Sequence, residues 1–104
     1  MKNIPQKTYT KWFDYDKITK CAAFRKRLEG DYLVIHDDGG RKKLKEYFIQ
    51  EKIPAYKRDE MWILTDDKHV MWIPGYRISA YYKITEETER VLEITIGGRE
   101  SGKD

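Results

Sequence analysis

Two apolar runs separated by a short polar stretch constrain the fold of this sequence more than any other feature. Met61 to Leu64 is apolar throughout, and so is Val70 to Ile73. Thr65 to Lys68, which lies between them, has the composition of a hairpin loop. Strands that are apolar on both sides are buried on both faces. The sequence therefore predicts a β-hairpin at the centre of the core, and we expect both Trp62 and Trp72 to be part of it.

Strand-like segments surround this hairpin, and one segment is strongly helical. The strand-like segments are Tyr9 to Ile18, Ala22 to Leu28, Tyr32 to Ile35 and Arg90 to Ile96. Residues 41–52 carry apolar side chains at helical spacing, and Pro54 follows them. This order predicts the α+β class. We expect a compact, sandwich-like domain of mostly antiparallel strands with one main basic helix at about residues 41–52.

Length and composition predict one small cytoplasmic domain. With 104 residues, we expect an ordered body at 10–96 and flexible ends at 1–9 and 97–104. The single Cys21 excludes an internal disulfide and a cysteine-based metal site, and we expect it to be a small packed residue. No apolar run approaches the roughly 18 residues that a membrane span needs. The chain therefore reads as a reduced, cytoplasmic protein without membrane contact.

Positive charge is concentrated in one stretch of the chain. The whole sequence has a net charge of +3, but residues 41–58 alone carry a net +5. The cations of this stretch are Arg41, Lys42, Lys43, Lys45, Lys52, Lys57 and Arg58. A dense basic patch on a near-neutral body indicates a site for a polyanion.

The predicted placement of these cations is unfavourable for a helix. Arg41, Lys42 and Lys43 in its first turn oppose the helix dipole. Free N–H groups together with three cations at that end predict a phosphate site. Because the charge extends over 41–58, a sugar-phosphate backbone fits better than a small nucleotide. The alternative is a solvated helix face on a protein-docking or interdomain module that makes no RNA contact.

No other residues form a recognisable active site. His36 and His69 lack histidine or cysteine partners at metal-ligand spacing, and we expect His69, beside a loop, to be solvated. The acidic pairs, which are Asp37-Asp38, Asp59-Glu60 and Asp66-Asp67, fall at turns, where Asp forms local hydrogen bonds. We therefore predict neither catalytic nor metal-binding residues.

A series of motifs in this sequence resembles the C-terminal domain of bacterial tRNA(Ile)-lysidine synthase. The series begins with Arg-Leu-Glu-Gly-Asp at 27–31, where Glu29 stands in place of the family's usual Pro. It continues with the Lys-Lys-Leu-Lys run in 39–49, Lys-Ile-Pro in 51–54, Arg-Asp in 57–59, Trp-Ile-Pro-Gly…Arg-Ile-Ser in 72–79, and Lys-Ile-Thr…Thr in 83–88. The resemblance covers about residues 22–96.

The resemblance implies a role in tRNA modification. Enzymes of this family use ATP to join lysine to the wobble cytidine of an isoleucine tRNA, and an N-terminal domain with a Ser-Gly-Gly-x-Asp-Ser loop binds the ATP. This chain has no such loop. The resemblance implies a non-catalytic domain without a cofactor of its own, and ATP for the parent enzyme's N-terminal domain. It also implies a compact α+β sandwich like one in the β subunit of phenylalanyl-tRNA synthetase.

The implied partners are the acceptor stem of an isoleucine tRNA, the N-terminal catalytic domain and, as an open possibility, a second copy in a homodimer. Arg77 joins the candidate RNA-binding residues because it matches the family's Arg-Ile-Ser motif. The complete predicted set is Arg41, Lys42, Lys43, Lys45, Lys52, Lys57, Arg58 and Arg77.

Overall fold

A computed structural model describes residues 8–97 of the chain. Most of the predicted flexible ends, residues 1–7 and 98–104, lie outside the described residues. The strands are β1 (Thr8–Asp14), β2 (Ala22–Arg25), β3 (Tyr32–Val34), β4 (Arg41–Lys43), β5 (Ile63–Asp66), β6 (His69–Ile73), β7 (Arg77–Ile78) and β8 (Val91–Gly97). The helices are α1 (Leu44–Gln50) and α2 (Ala55–Arg58), and short 3₁₀ turns span Tyr15–Lys17 and Ala80–Tyr82.

The predicted hairpin forms the middle of the main sheet. Strands β5 and β6 pair antiparallel across the turn at Asp67 and Lys68, and every residue of both strands is buried. The sheet runs in the order β2-β5-β6-β3-β4, with β7 also paired to β6. All pairs are antiparallel except that of β3 with β6. The prediction of an α+β domain of mostly antiparallel strands is confirmed.

Two apolar clusters cover opposite faces of this sheet. On one face, α1 packs Leu44, Tyr47 and Phe48 against sheet residues such as Leu33 and Val70. On the other face lies a two-stranded antiparallel ribbon of β1 and β8. The second cluster consists of Phe13, Leu64, Met71, Trp72 and Tyr82, with Leu92, Ile94 and Ile96 of β8 against it. Alternating burial along β8 agrees with the half-exposed strand predicted there. No helix among residues 8–97 has the length and apolar character to cross a membrane.

The predicted helix at 41–52 is wrong in its first turn. Arg41, Lys42 and Lys43 form the edge strand β4, which pairs with β3, and α1 spans only Leu44–Gln50. Pairing with β3 gives the backbone of this segment hydrogen-bond partners and keeps Arg41 and Lys42 out of the helix, whereas Lys43 becomes its N-cap residue. The predicted first turn with three cations does not form. Lysine and arginine on an edge strand also discourage pairing with other chains.

Two packing predictions are also wrong. Trp62 is 57% exposed because it precedes β5, whereas Trp72 inside β6 is fully buried as predicted. The Lys26 ammonium lies 5.4 Å from the centre of the Trp62 ring, so the exposed indole is partly covered by a cation. Cys21 is exposed rather than packed, because it lies just before β2 in a segment held by backbone hydrogen bonds to Asp66.

Candidate nucleic-acid interface

The fold separates the eight predicted RNA-binding residues into distinct places. Lys43, Lys45 and Arg58 line one groove. Arg41, Lys42 and Arg77 line a second groove on the other side of β4 and α1. Lys52 follows α1, and Lys57 lies on α2. The predicted set therefore does not form one continuous phosphate-binding helix face.

The first of these, which we call the basic groove, is a cavity of 570 Å³. It lies between the turn before β3, the junction of β4 with α1, and the end of α2. Its lining residues are Arg27, Leu28, Glu29, Gly30, Asp31, Lys43, Leu44, Lys45 and Arg58. Four of these are cations, and they come from the turn before β3, from β4, from α1 and from α2, which only the fold brings together.

An ion pair with a buried carboxylate holds the turn that forms one wall of the basic groove. The Arg25 guanidinium donates to both carboxylate oxygens of Asp31, at 2.9 and 2.8 Å. The Leu28 amide donates to the same carboxylate at 2.8 Å. The hydrogen bond to Asp31 raises the pKa of Arg25 against the effect of burial, so the guanidinium keeps its charge. Asp31 is therefore neutralised within the wall and does not oppose the cations of the groove.

The same turn depends on a glycine. The Asp31 amide donates to the Leu28 carbonyl at 3.2 Å, which closes a four-residue turn. Gly30 occupies its third position with φ +92°, as a type II turn requires. Proline is common at the second position of such turns, where this chain has Glu29. The glutamate therefore replaces proline at a position whose backbone conformation most residues can adopt.

The groove cations differ in how firmly they are held. Arg58 donates through Nε to the Ile53 carbonyl at 2.7 Å. Arg27, which lies outside the predicted set, pairs with Asp59 at 2.8 Å. The ammonium groups of Lys43 and Lys45 form no ion pair with any residue of 8–97. Two oriented guanidinium groups and two unpaired ammonium groups make this groove suited to successive phosphates.

The second groove, which we call the mixed-charge groove, has a volume of 420 Å³ and balanced charges. Its cations are Arg41, Lys42 and Arg77, and its carboxylates are Asp38, Glu46 and Glu51. Arg77 also donates to the Ile35 carbonyl at 3.3 Å. Equal numbers of opposite charges make this surface a weaker candidate for phosphate than the basic groove.

Lys52 has a structural role at the end of α1. It adopts φ +59°, its amide donates to the Ile49 carbonyl, and the Ile53 amide donates to the Phe48 carbonyl. These bonds form a Schellman motif, in which glycine is the usual residue at the left-handed position. The pattern Lys-Ile-Pro gives no glycine signal, so sequence reasoning assigned the lysine to RNA binding and missed this role.

Replacing Lys52 with glycine is expected to raise the free energy of unfolding by about 1 kcal/mol, because glycine adopts the left-handed conformation without a Cβ clash. Chemical denaturation monitored by tryptophan fluorescence measures the change. Lys45→Gly, inside α1, is the opposite control and is expected to destabilise by about 1 kcal/mol. Equal losses for both variants would contradict the assigned role of Lys52.

A third cavity, the aromatic cleft, was not predicted from the sequence. It has a volume of 410 Å³, and four rings line it, namely Tyr32, His69, Tyr81 and Tyr82. Four cations also line it, namely Lys17, Lys20, Arg41 and Lys68. The rings come from β3, β6 and the 3₁₀ turn at Ala80–Tyr82. The only sequence signal was the run of tyrosines in 76–84, which has no clear periodicity.

The prediction that Asp66 only forms a turn is wrong, because its buried carboxylate supports this cleft. One oxygen accepts from the Lys20 and Cys21 amides, and the other accepts from the Thr19 amide and, at 2.8 Å, from the Tyr82 hydroxyl. Burial alone would raise the pKa of Asp66, but these hydrogen bonds together lower it below its ordinary value. Burial and the bond to Asp66 raise the pKa of Tyr82.

The prediction of a solvated His69 is also wrong. The ring is 8% exposed, and its Nε2 is 2.9 Å from the Ser79 hydroxyl oxygen. Burial and the nearby charge of Arg41 lower its pKa to about 4, although Asp66 acts in the opposite direction. His69 is therefore neutral at physiological pH. In the part of the chain that the structure describes, no group of three or more His, Cys, Asp or Glu side chains is placed to hold a metal ion.

Comparison with known proteins identifies the domain. Residues 23–94 match the family described as "TilS substrate C-terminal domain". The tRNA(Ile)-lysidine synthase of Clostridium tetani is 38% identical over 91% of this chain, and that of Caldanaerobacter subterraneus subsp. tengcongensis is 42% identical over 83%. The matched regions are 20% and 18% of those relatives, so the chain spans about a fifth of their length.

The fold is similar to a solved structure of the same domain. A crystal structure of a TILS C-terminal domain superposes with a TM-score of 0.66 at 32% identity, covering 92% of this chain and 76% of that one. The sequence resemblance, the α+β sandwich and the family match agree. The chain therefore belongs to the family of C-terminal domains of tRNA(Ile)-lysidine synthases.

Proposed function

We propose that this domain binds the isoleucine tRNA on which a lysidine synthase acts, and that it does so through phosphates of the acceptor stem. The observation that carries the proposal is the basic groove, where Lys43, Lys45 and Arg58 meet Arg27. Membership of this family supports tRNA as the ligand, and the groove has the positive charge that binding to phosphates requires. Double-stranded RNA is recognised mainly by its shape, its phosphates and its 2′-hydroxyls, which suits a groove of oriented cations.

The domain acts in this proposal as a binding element that contributes no catalytic group. The ATP-dependent joining of lysine to cytidine then belongs to an N-terminal ATP-binding domain, which is the second partner. None of the three cavities contains a nucleophile beside a base, and the buried His69 is neutral and bonded to Ser79. The expected setting is the cytoplasm, where tRNA is modified.

Removing two groove cations is expected to change the salt dependence of tRNA binding. In Lys43→Ala/Lys45→Ala, the negative slope of log K against log salt should become less steep by about 1.8, which is roughly 0.9 for each lost phosphate contact. The measurement is the binding of the full chain to an isoleucine tRNA and to an unrelated tRNA across a salt series. Sedimentation of the same samples shows whether the chain binds as a monomer or as a homodimer.

The matched control removes the same charge elsewhere. Lys11 on β1 and Lys83 line neither the basic groove nor the mixed-charge groove. Lys11→Ala/Lys83→Ala should therefore keep the wild-type slope. Equal slopes for the two double variants would contradict the role of the basic groove. An acceptor-stem hairpin should bind as well as the whole tRNA, and an anticodon hairpin should bind less tightly.

A further inference from the structure

The aromatic cleft adjoins the basic groove. Strand β4 has residues in both, and Lys68 contacts both. Arg41 and Lys43 lie on the same face of β4, about 7 Å apart along the strand. Arg41 lines the cleft, and Lys43 lines the groove. Lys68 lines the cleft, and its ammonium donates to the Glu29 carbonyl in the wall of the groove at 2.7 Å. A single polyanionic chain that occupies the groove can therefore continue into the cleft.

The cleft offers one exposed ring for stacking. Tyr32 is only partly exposed, with the Arg41 guanidinium 4.3 Å and the His69 ring 4.7 Å from its centre. The centre of the His69 ring is also 5.3 Å from that of Tyr81, but Tyr81 is still 43% exposed. Its orientation is set by edge-to-face packing on Tyr82 at 5.0 Å, and the Lys17 ammonium lies 5.4 Å from its centre. A fixed aromatic ring beside cations is the arrangement that binds unpaired bases in RNA-binding proteins.

The polar groups of the cleft are compatible with such a ligand. The negative charge of Asp66 is already satisfied by backbone amides and the Tyr82 hydroxyl. His69 uses Nε2 for Ser79, and no residue of 8–97 forms a hydrogen bond with its Nδ1. The cleft has more positive than negative exposed charge, because it has one exposed carboxylate, that of Asp67, against the cations Lys17, Lys20 and Arg41.

We propose that the aromatic cleft binds one unpaired nucleotide at the end of the RNA helix that occupies the basic groove. The base stacks on Tyr81, and the adjoining phosphate lies among Lys17, Lys20 and Arg41. The cleft volume of 410 Å³ falls within the range of small-ligand sites, which is about 300–1,000 Å³. This inference rests on the proposed function, because it requires that the domain binds RNA.

The test compares two RNA hairpins with the same stem. One hairpin is blunt, and the other has a short single-stranded 3′ overhang that contains 2-aminopurine, whose fluorescence decreases when it stacks. Wild-type protein should bind the overhang RNA more tightly and quench its fluorescence. Tyr81→Ala should weaken binding of the overhang RNA about tenfold and abolish the quenching, because stacking on one aromatic ring contributes about that much. Binding of the blunt RNA should not change.

Two further variants separate stacking from other effects. Tyr81→Phe keeps the ring and should behave as the wild type. Tyr56→Ala removes a tyrosine that is 79% exposed and lies outside the cleft, and it should also have no effect. Equal binding of the two hairpins by the wild type would overturn the cleft proposal and leave tRNA binding intact. An equal loss for both hairpins in Tyr81→Ala would overturn it too. Binding of neither hairpin by the wild type would overturn the proposed function and this inference together.

Discussion

Replacing Asp66 with asparagine is expected to lower the free energy of unfolding by about 3–5 kcal/mol. The carboxylate accepts hydrogen bonds from three consecutive backbone amides and from the Tyr82 hydroxyl, and the residue is 3% exposed. The asparagine amide group has only one oxygen, so its NH₂ would face donors that need an acceptor. Each hydrogen bond to a charged group contributes about 1.5–3 kcal/mol, and at least two such bonds are lost.

The neighbouring residue gives the matched control. Asp67 is exposed in the hairpin turn and has φ +59°, a conformation that asparagine adopts readily. Asp67→Asn should therefore change stability by less than about 0.5 kcal/mol. Urea denaturation monitored by tryptophan fluorescence compares the two variants. Similar midpoints for both would show that the Asp66 network contributes little.

Lowering the pH from neutral to about 4 is expected to reduce the free energy of unfolding by about 3 kcal/mol through His69 alone. The pKa of His69 is about 4 in the folded protein, against an ordinary value of 6.5. Between these two values the unfolded chain binds a proton that the folded chain does not. Protonation therefore favours unfolding in this range, and stability decreases as the pH falls from 6.5 to 4.

The carboxylate of Asp66 acts in a different pH range. Its pKa is lowered below the ordinary 3.8, so its contribution to stability is lost only as the pH falls through that lower value. Denaturation between pH 5 and 8 therefore records the effect of His69 without that of Asp66. The chain has only two histidines, so an NMR titration of the assigned imidazole signals provides the direct measurement. A His69 signal that titrates above pH 6 would contradict the expected effect.

The sequence correctly predicted those strands whose burial follows from the pattern of apolar and polar side chains along consecutive residues. The apolar runs of β5 and β6 and the alternation along β8 depend on local pattern alone, and the structure has all three strands. The same reasoning extended α1 backwards over Arg41 to Lys43, because Leu44, Tyr47 and Phe48 have helical spacing. Pairing with β3 decides the conformation of those three residues, and no local pattern records that partner.

The polar interior was harder to predict for the same reason. Because His69 and Asp66 flank a turn, their neighbours in sequence suggest that both side chains are exposed to solvent. Their hydrogen-bond partners, Ser79 and Tyr82, lie 10 and 16 residues further along the chain. The basic groove shows both outcomes. Its lysines were found from charge density, whereas Arg27 joined them only through the turn before β3. Charge density predicts a polyanion site, and the tertiary fold determines which cations line the proposed groove.

The ribbon of β1 and β8 places the two ends of the described chain side by side. Thr8 pairs with Gly97, so the described chain enters and leaves at neighbouring positions, on the face of the sheet opposite α1. Sequence attached at either position starts from one common point. An attachment through both ends therefore acts at one place on the surface and does not hold the domain from two sides.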